Sequence, residues 1–224
     1  MVGGMNILVL SDNVEILERA KPIFEKRTVN WTFTNSDDIN PKKDFQHIID
    51  NHDLVFSLHC KKIFPKILTD SVSCINIHPG YNPYNRGMFP HVFSILNGQP
   101  AGATIHEMTA KIDEGPIICQ RQVPVYDRDT SGTLYEKVIS CELELLDNYL
   151  DLIIEQKYVT HREIGYGNYN SMVDFKRLCK IYPDADISPG KLFRTLRALS
   201  HDGYYNAEMN GIKFKLIIDG NQNS

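Results

Sequence analysis

The residues best suited to chemistry stand where an apolar run ends, at Asn76 and His78, followed by Pro79. On an extended strand the side chains alternate between two faces, so Asn76 and His78 point the same way. Pro79 holds His78 in an extended backbone and ends the strand there. The pattern predicts an imidazole and a carboxamide together at the carboxyl end of a parallel strand, where open α/β sheets bind ligands. Taken alone, such a histidine is more often structural than catalytic.

A second group of candidates follows at Thr104, His106 and Asp113. Thr104 and His106 alternate on another predicted strand and share one face of it. Asp113 stands in a loop before a Gly-Pro dipeptide, which favours a turn. A carboxylate in such a loop is usually a solvated turn residue. Beside His78, however, it would orient the imidazole and stabilise its charged form.

The elements that must position these residues alternate along the first part of the chain. Apolar, β-branched runs predict strands at residues 5–10, 30–34, 53–59 and 71–78, and helical patterns fall near residues 14–27, 44–51 and 90–97. Two consecutive strands follow at 101–109 and 116–125, and then a long helix at 131–156. This order predicts an α/β fold with a doubly wound, mainly parallel sheet, in a catalytic core of residues 1–164.

Residues 165–224 differ in composition and pattern from the preceding residues and predict a small helix-and-hairpin extension. A Gly/Asn/Tyr-rich stretch at 165–170 precedes a short helix and a loop that contains Pro183 and Pro189. An Arg-rich amphipathic helix is predicted at 190–199. The dipeptide Asn210-Gly211 predicts a hairpin between residues 204–208 and 211–219.

Composition excludes several classes of protein. The 224 residues carry a net charge of −4, whereas nucleic-acid-binding domains usually show a basic excess, so no nucleic-acid partner is expected. Residues 1–4 precede Met5, which is interpreted as the natural start. Neither a charged leader nor an apolar run long enough to span a membrane is visible, so we expect a cytoplasmic protein. Without a CxxC pair, neither a disulfide framework nor a metal site is expected from the cysteines, which are Cys60, Cys74, Cys119, Cys141 and Cys179.

Together these motifs resemble the N10-formyltetrahydrofolate-dependent formyltransferases. The similarity lies in Asn-x-His-Pro at 76–79, Gly-x-Thr-x-His at 102–106 and Asp-x-Gly-x-Ile at 113–117, in matching order and spacing over residues 54–119. The resemblance implies that Asn76, His78 and Asp113 form the catalytic centre and that N10-formyltetrahydrofolate is the co-substrate. It also implies two folate-binding loops, composed of Lys62, Ile63 and Phe64 and of Thr109, Ala110, Lys111, Ile112 and Asp113.

The chemistry of formyl transfer suits these residue types. A neutral amine attacks the formyl carbon, and the intermediate carries an oxyanion and an ammonium group. Asn76 and a protonated His78 can donate hydrogen bonds to the oxyanion. Asp113 can hold His78 and help remove the ammonium proton. No metal is required.

The acceptor is predicted from a resemblance that extends over nearly the whole chain. The chain resembles the short sugar N-formyltransferases that act on dTDP-4-amino-4,6-dideoxyglucose, which implies surface-polysaccharide synthesis and a homodimer formed through residues 165–224. Phosphoribosylglycinamide formyltransferase and a non-catalytic folate- or nucleotide-binding module are the alternatives. Arginine on an amphipathic helix more often faces solvent or an interface. The predicted substrate-binding residues are Tyr81, Asn82, Tyr84, Asn85, Arg86, His106, Arg194 and Arg197.

Overall fold

A computed structural model of the chain describes residues 4–162 and 166–218. The first three residues, the start of the predicted extension at Gly165 and the end of the predicted hairpin at Asp219 lie outside the described residues. The strands are β1 (Asn6–Leu10), β2 (Asn30–Thr34), β3 (Leu54–Leu58), β4 (Ser73–His78), β5 (Arg86–Gly87), β6 (Ala101–Glu107), β7 (Ile117–Val123), β8 (Tyr169–Asn170), β9 (Ser200–His201), β10 (Tyr204–Tyr205), β11 (Ala207–Met209) and β12 (Ile212–Phe214). The helices are α1 (Val14–Phe24), α2 (Phe45–Asn51), α3 (Lys66–Ser71), α4 (Pro90–Asn97), α5 (Ser131–Ile154), α6 (Met172–Leu178) and α7 (Pro189–Leu199).

The central sheet has the strand order β2-β1-β3-β4-β6-β7. Strands β1 to β4 pair in parallel, because helices connect them, whereas β6 runs antiparallel to both β4 and β7. The predicted α/β class with a mainly parallel sheet is confirmed. The strand order reverses between β1 and β3, so the crevice at their carboxyl ends lies where doubly wound sheets bind ligands.

Two apolar cores cover the two faces of this sheet. Alternate residues of β1 show the division: Ile7 and Val9 pack in the larger core with α1, α4 and α5, whereas Leu8 and Leu10 pack in the smaller core with α2 and α3. Helix α5 is the longest element over the larger core, and Thr130 starts it with a capping box. Each face is therefore buried without a disulfide, and all five cysteines are free.

The structure differs from the predicted elements at several points. Helix α3 was not predicted, because its six residues are too few for a helical period to show. The predicted hairpin forms at Asn210-Gly211 but is shorter, since only β11 and β12 pair there and β10 pairs with β9 instead. Pro189 begins α7 rather than lying in the preceding loop, as its fixed φ suits a first helical turn.

The C-terminal part packs on the same core as the sheet. Ala198 and Leu199 at the end of α7, together with Ala207 in β11, belong to the larger apolar core. Helix α7 lies against α4 and α5. The division at residues 164 and 165 remains a prediction, and the described part of the extension shares its buried surface with the core.

Candidate active site

The polar residues of the sheet lie on the face that α2 and α3 only partly cover. Asn76 in β4 lies opposite His106 in β6, and in the same ladder His78 lies opposite Thr104. Side chains that oppose each other on paired strands project to the same side, so all four belong to one face. The larger apolar core occupies the other face through the intervening residues Ile75 and Ile77. Strand alternation therefore places the predicted amide and imidazole together.

Asp113 reaches this face from the loop between β6 and β7. Its Oδ1 accepts a hydrogen bond from Asn76 Nδ2 at 3.0 Å and lies 3.8 Å from His78 Nδ1. Its Oδ2 accepts the backbone N–H of Gly87 at 3.0 Å. Burial alone would raise the pKa of Asp113, but the neighbouring His78 and His106 rings and the Gly87 N–H lower it well below its usual range. The carboxylate is therefore ionised at neutral pH.

His78 is buried and is held neutral at rest. Burial lowers the pKa of its imidazole, although the Asp113 carboxylate acts in the opposite direction. Its Nδ1 faces Asp113, whereas its Nε2 has no hydrogen-bond partner within the described part of the chain. A Cβ at Gly80 would lie 2.4 Å from Nε2, so a glycine is required beside the ring. This nitrogen is the one available to a reacting group.

His106, which was predicted to bind substrate, has both of its ring nitrogens in contact with protein groups. Its Nδ1 lies 2.7 Å from the carbonyl oxygen of Glu107 and therefore carries the hydrogen. The other ring nitrogen, Nε2, then accepts from Asn76 Nδ2 at 3.2 Å. Both amide hydrogens of Asn76 are thus used by His106 and Asp113. The buried His106 side chain therefore orients Asn76, and its contact with substrate stays a prediction.

The loop at residues 81–87 divides into half-buried and fully buried groups. Tyr81 and Tyr84 are half-buried. Asn82 is buried and donates from Nδ2 to the carbonyl of Asp113 at 3.0 Å, so it fixes the aspartate loop. Asn85 was predicted to bind substrate, but it is wholly buried and bonds only to protein groups among the contacts that the structure describes. Arg86 forms an ion pair with Glu114, so the positive charge that was predicted to bind a diphosphate is already paired with a carboxylate.

The two arginines of α7 are separated from the catalytic cluster. Arg197 is buried and donates to the carbonyl oxygen of Asp127, so it fastens α7 to the loop before α5. This contact gives Arg197 a structural role, and its predicted role in substrate binding stays a prediction. Arg194 is exposed, and no hydrogen bond or ion pair joins it to the catalytic residues within residues 4–162 and 166–218.

The two predicted folate loops present surfaces that suit a flat heterocycle. Ile63 is 64% exposed and Ile112 is 46% exposed, which is unusual for apolar side chains beside a polar cleft. Lys62, Thr109, Ala110 and Lys111 are also exposed. Phe64 packs in the smaller core, so only its backbone can meet a ligand. These loops fit the folate predicted from the resemblance.

The sequence patterns did not predict a pocket that is lined by lysine side chains. A cavity of about 280 Å³ opens between the loops that follow β2 and β3, and it is lined by Asn40, Lys42, Lys43, Lys61, Lys62 and Ile63. Among the described residues no carboxylate lies within ion-pair distance of Lys42, Lys43 or Lys61. The sequence feature that could have indicated the pocket is a pair of adjacent lysines after each of two parallel strands, Lys42-Lys43 after β2 and Lys61-Lys62 after β3. No group of three or more His, Cys, Asp or Glu side chains in the described ranges is arranged to hold a metal ion.

Comparisons with known proteins agree with this geometry. The sequence model of a family described as formyl transferase matches residues 7–150. The chain is 43% identical over 160 residues to a dTDP-4-amino-4,6-dideoxyglucose formyltransferase of Mycobacterium tuberculosis, a match that covers 71% of this chain and 68% of the relative. None of the helices described here has the length and apolar character needed to cross a bilayer.

Two solved structures extend the comparison. A 4-N formyltransferase from Francisella tularensis superposes with a TM-score of 0.88 at 36% identity, covering 96% of this chain and 98% of the other. A formyltransferase from Anoxybacillus kamchatkensis, solved with UDP-4,6-dideoxy-4-formamido-L-AltNAc and tetrahydrofolate, superposes with a TM-score of 0.65 at 29% identity and covers 77% of this chain and 88% of the other.

Proposed function

Because the chain belongs to the formyl transferase family, we propose that it moves a formyl group from N10-formyltetrahydrofolate to the amino group of a nucleotide-linked amino sugar. The proposed acceptor is dTDP-4-amino-4,6-dideoxyglucose or a close relative. The observation that carries the chemistry is the meeting of Asn76, His78 and Asp113 on one sheet face. The acceptor is supported by the Mycobacterium relative and by the nucleotide sugar in the Anoxybacillus structure.

His78 acts first as a base in this proposal. N10-formyltetrahydrofolate supplies an activated formyl group and leaves as tetrahydrofolate. The neutral imidazole accepts a proton from the attacking amine at Nε2, the nitrogen without a protein partner. The resulting imidazolium donates a hydrogen bond to the oxygen that becomes negative. As the bond between N10 and the formyl carbon breaks, it gives its proton to N10 of the departing tetrahydrofolate. Asp113 stabilises that imidazolium from the Nδ1 side.

Asn76 is the second group that stabilises the negative oxygen in this proposal. Its amide donates to Asp113 at 3.0 Å and to His106 at 3.2 Å. The contact with the neutral His106 ring is the weaker one, because hydrogen bonds to charged acceptors are stronger. We propose that this hydrogen turns to the negative oxygen during the reaction while the bond to Asp113 holds the amide in place.

The anionic part of the acceptor requires cations, and the lysine pocket supplies them. The pocket lies on either side of the carboxyl end of β1, where the strand order reverses. Lys42 and Lys43 are free of carboxylate partners within the described residues, whereas Arg86 is paired with Glu114. We therefore assign the diphosphate of the nucleotide to Lys42 and Lys43, on the β2 side of the pocket, rather than to Arg86. Lys62 and Ile63, on the β3 side, keep their predicted contact with folate.

Binding of dTDP to variants tests this assignment. The double variant Lys42→Gln/Lys43→Gln should bind dTDP roughly 30-fold more weakly by calorimetry, since two favourable charge contacts of about 1 kcal/mol each are lost. The matched control is Lys176→Gln/Lys191→Gln, which removes the same charge from the exposed surface of α6 and α7. A loss of folate affinity in place of dTDP affinity would reassign the pocket to the folate carboxylates.

The proposed assembly is a cytoplasmic homodimer whose product serves surface-polysaccharide synthesis. The C-terminal part exposes several large apolar side chains, among them Tyr182, Phe193 and Ile212. Apolar groups on one side of a molecule are typical of a subunit interface. Five free thiols suit a reducing compartment. Light scattering on the purified protein should give twice the mass of the chain, and Phe193→Glu should yield a monomer.

Formyl transfer itself is tested with a panel of acceptors. The protein is incubated with the folate donor and with amino-sugar nucleotides that differ in base and in the configuration at C4, and the products are read by mass spectrometry. Asp113→Asn is the inactive control, because the amide keeps the shape but cannot stabilise an imidazolium. Formylation of glycinamide ribonucleotide without formylation of any amino sugar would contradict the proposed acceptor and leave the transferase chemistry intact.

A further inference from the structure

The catalytic aspartate is held by a backbone group that depends on a distant part of the chain. Gly87 N–H donates to Asp113 Oδ2 at 3.0 Å. Gly87 belongs to β5, which pairs in parallel with β8. The range matched by the family model ends at residue 150, so β8 lies beyond it. The carboxylate is therefore positioned in part by the C-terminal segment.

Asn168 joins the segments that contain β5 and β8 through hydrogen bonds of both its side chain and its backbone. Its side-chain Oδ1 accepts the backbone N–H of Asn85 at 2.8 Å, and its Nδ2 donates to Asn85 Oδ1 at 2.7 Å. Its carbonyl oxygen accepts the backbone N–H of Arg86 at 3.0 Å. Asn85 is wholly buried and has a left-handed backbone with φ of 50°. One asparagine thus fixes the side chain and the backbone that immediately precede Gly87.

Glycines make this close approach possible. A Cβ at Gly167 would lie 1.9 Å from the carbonyl oxygen of Pro83. A Cβ at Gly87, whose φ is 88°, would lie 2.5 Å from the carbonyl oxygen of Asn170. The glycines at 87 and 167 are explained by this contact, because larger residues would separate the two backbones.

We infer that Asn168 is a positioning residue for Asp113, acting through Asn85 and the N–H of Gly87. The inference rests on the proposed role of Asp113 in formyl transfer. Without the Asn168 side chain, the segment before Gly87 loses two hydrogen bonds and is held by backbone pairing alone. The Gly87 N–H then shifts relative to Asp113 Oδ2, the carboxylate oxygen that does not face His78. A displacement on the order of 1 Å costs about 100-fold in rate when a catalytic group is involved.

The test is Asn168→Ala in the full-length protein. We expect kcat to fall roughly 10- to 100-fold, while KM for both substrates stays within a factor of about two, because both polar atoms of the Asn168 side chain are engaged by Asn85. Asn168→Asp should recover activity as the pH is lowered, since the protonated carboxyl group again accepts from Asn85 N–H and donates to Asn85 Oδ1. In nitrogen–proton NMR spectra the Gly87 amide resonance should move upfield in Asn168→Ala, as its charge-assisted hydrogen bond lengthens.

Asn170→Ala is the matched control in the same strand. Its side chain makes one longer bond to Asn85, at 3.3 Å, and its backbone pairing with Met88 remains in the variant. It should keep kcat within a factor of about three. Equal kcat in the two variants, or an unmoved Gly87 resonance in folded Asn168→Ala, would overturn the inference. Failure of the wild-type protein to transfer formyl groups would instead contradict the proposed function.

Discussion

Two buried histidine–carboxylate contacts lie on opposite sides of the sheet and differ in how closely they are joined. His59 Nε2 lies 2.9 Å from Glu142 Oε2, a carboxylate of α5 that is wholly buried with the larger core. His78 Nδ1 lies 3.8 Å from Asp113 Oδ1, and that carboxylate also accepts from Asn76 and Gly87. The first pair is closed by a direct hydrogen bond. The second leaves the imidazole nitrogen Nε2 without a partner.

This difference separates a structural contact from a reactive one. A closed pair offsets the free-energy cost of burying a charged group, and its role is to stabilise the fold. An open pair keeps the carboxylate in range to stabilise a charged imidazole while the ring remains available to a substrate. Burial and residue type are similar in the two contacts, so the distance and the unpartnered nitrogen distinguish them.

The largest expected effect is on stability, from breaking the closed pair. His59→Leu leaves Glu142 buried without a partner and should lower the free energy of unfolding by roughly 3–5 kcal/mol, measured by urea denaturation. The double variant His59→Leu/Glu142→Leu should recover most of this loss, because no buried charge remains. At a temperature where the single variant is folded, kcat should change by less than about threefold. A 100-fold loss of kcat would place His59 in the reaction.

The next largest effect is on the rate, from the open pair. His78→Asn removes the nitrogen that accepts the proton and should lower kcat by roughly two orders of magnitude or more. Its free energy of unfolding should change little, since a neutral ring is replaced by a neutral amide. His106→Ala serves as the comparison, with a smaller loss that reflects a less ordered Asn76. Turnover that survives in His78→Asn but is abolished in His106→Ala would show that the catalytic histidine has been misassigned.

A smaller loss is expected when the open pair is displaced rather than removed. Gly80→Ala places a methyl group 2.4 Å from His78 Nε2 and 3.0 Å from Pro90 Cγ, so the ring must shift. We expect kcat to fall about tenfold. Gly190→Ala in α7 is the matched control, because nothing lies within 4 Å of its added Cβ. The idea fails if the two variants have equal rates.

A third buried imidazole, His91, lies beside the closed pair, and its effect appears only as a dependence of stability on pH. Burial lowers its pKa to about 3. The unfolded chain then binds more protons than the folded one between about pH 6.5 and pH 3, so stability is lost as the pH falls through that window. The slope contributed by one such group is about 1.4 kcal/mol per pH unit. His91→Leu should make urea-derived stability less dependent on pH from 4 to 6, and an unchanged slope would show that His91 does not titrate there.

Local patterns predicted much of the fold and part of the site. The alternation of Asn76 and His78, and of Thr104 and His106, follows from strand geometry alone, and the ladder of β4 and β6 places them together. Asp113 was predicted from its match to a family motif, because the sequence of its loop does not show which strand the loop will lie against. The internal position of Asn85 was not predictable, because asparagine in a Tyr/Asn-rich loop usually faces solvent, and its partner Asn168 is 83 residues away in the chain.

The sequence by itself determined the periodic and local features: the order of strands and helices, the shared face of Asn76 and His78, and the turn at Asn210-Gly211. These depend on interactions between near neighbours, whose geometry is the same in any protein. The tertiary structure alone decided which carboxylate meets which histidine, which arginine is already paired, and which distant asparagine holds the active-site loop. Such contacts join residues far apart in the chain, and their distances follow from how whole elements pack rather than from the spacing of residues along them.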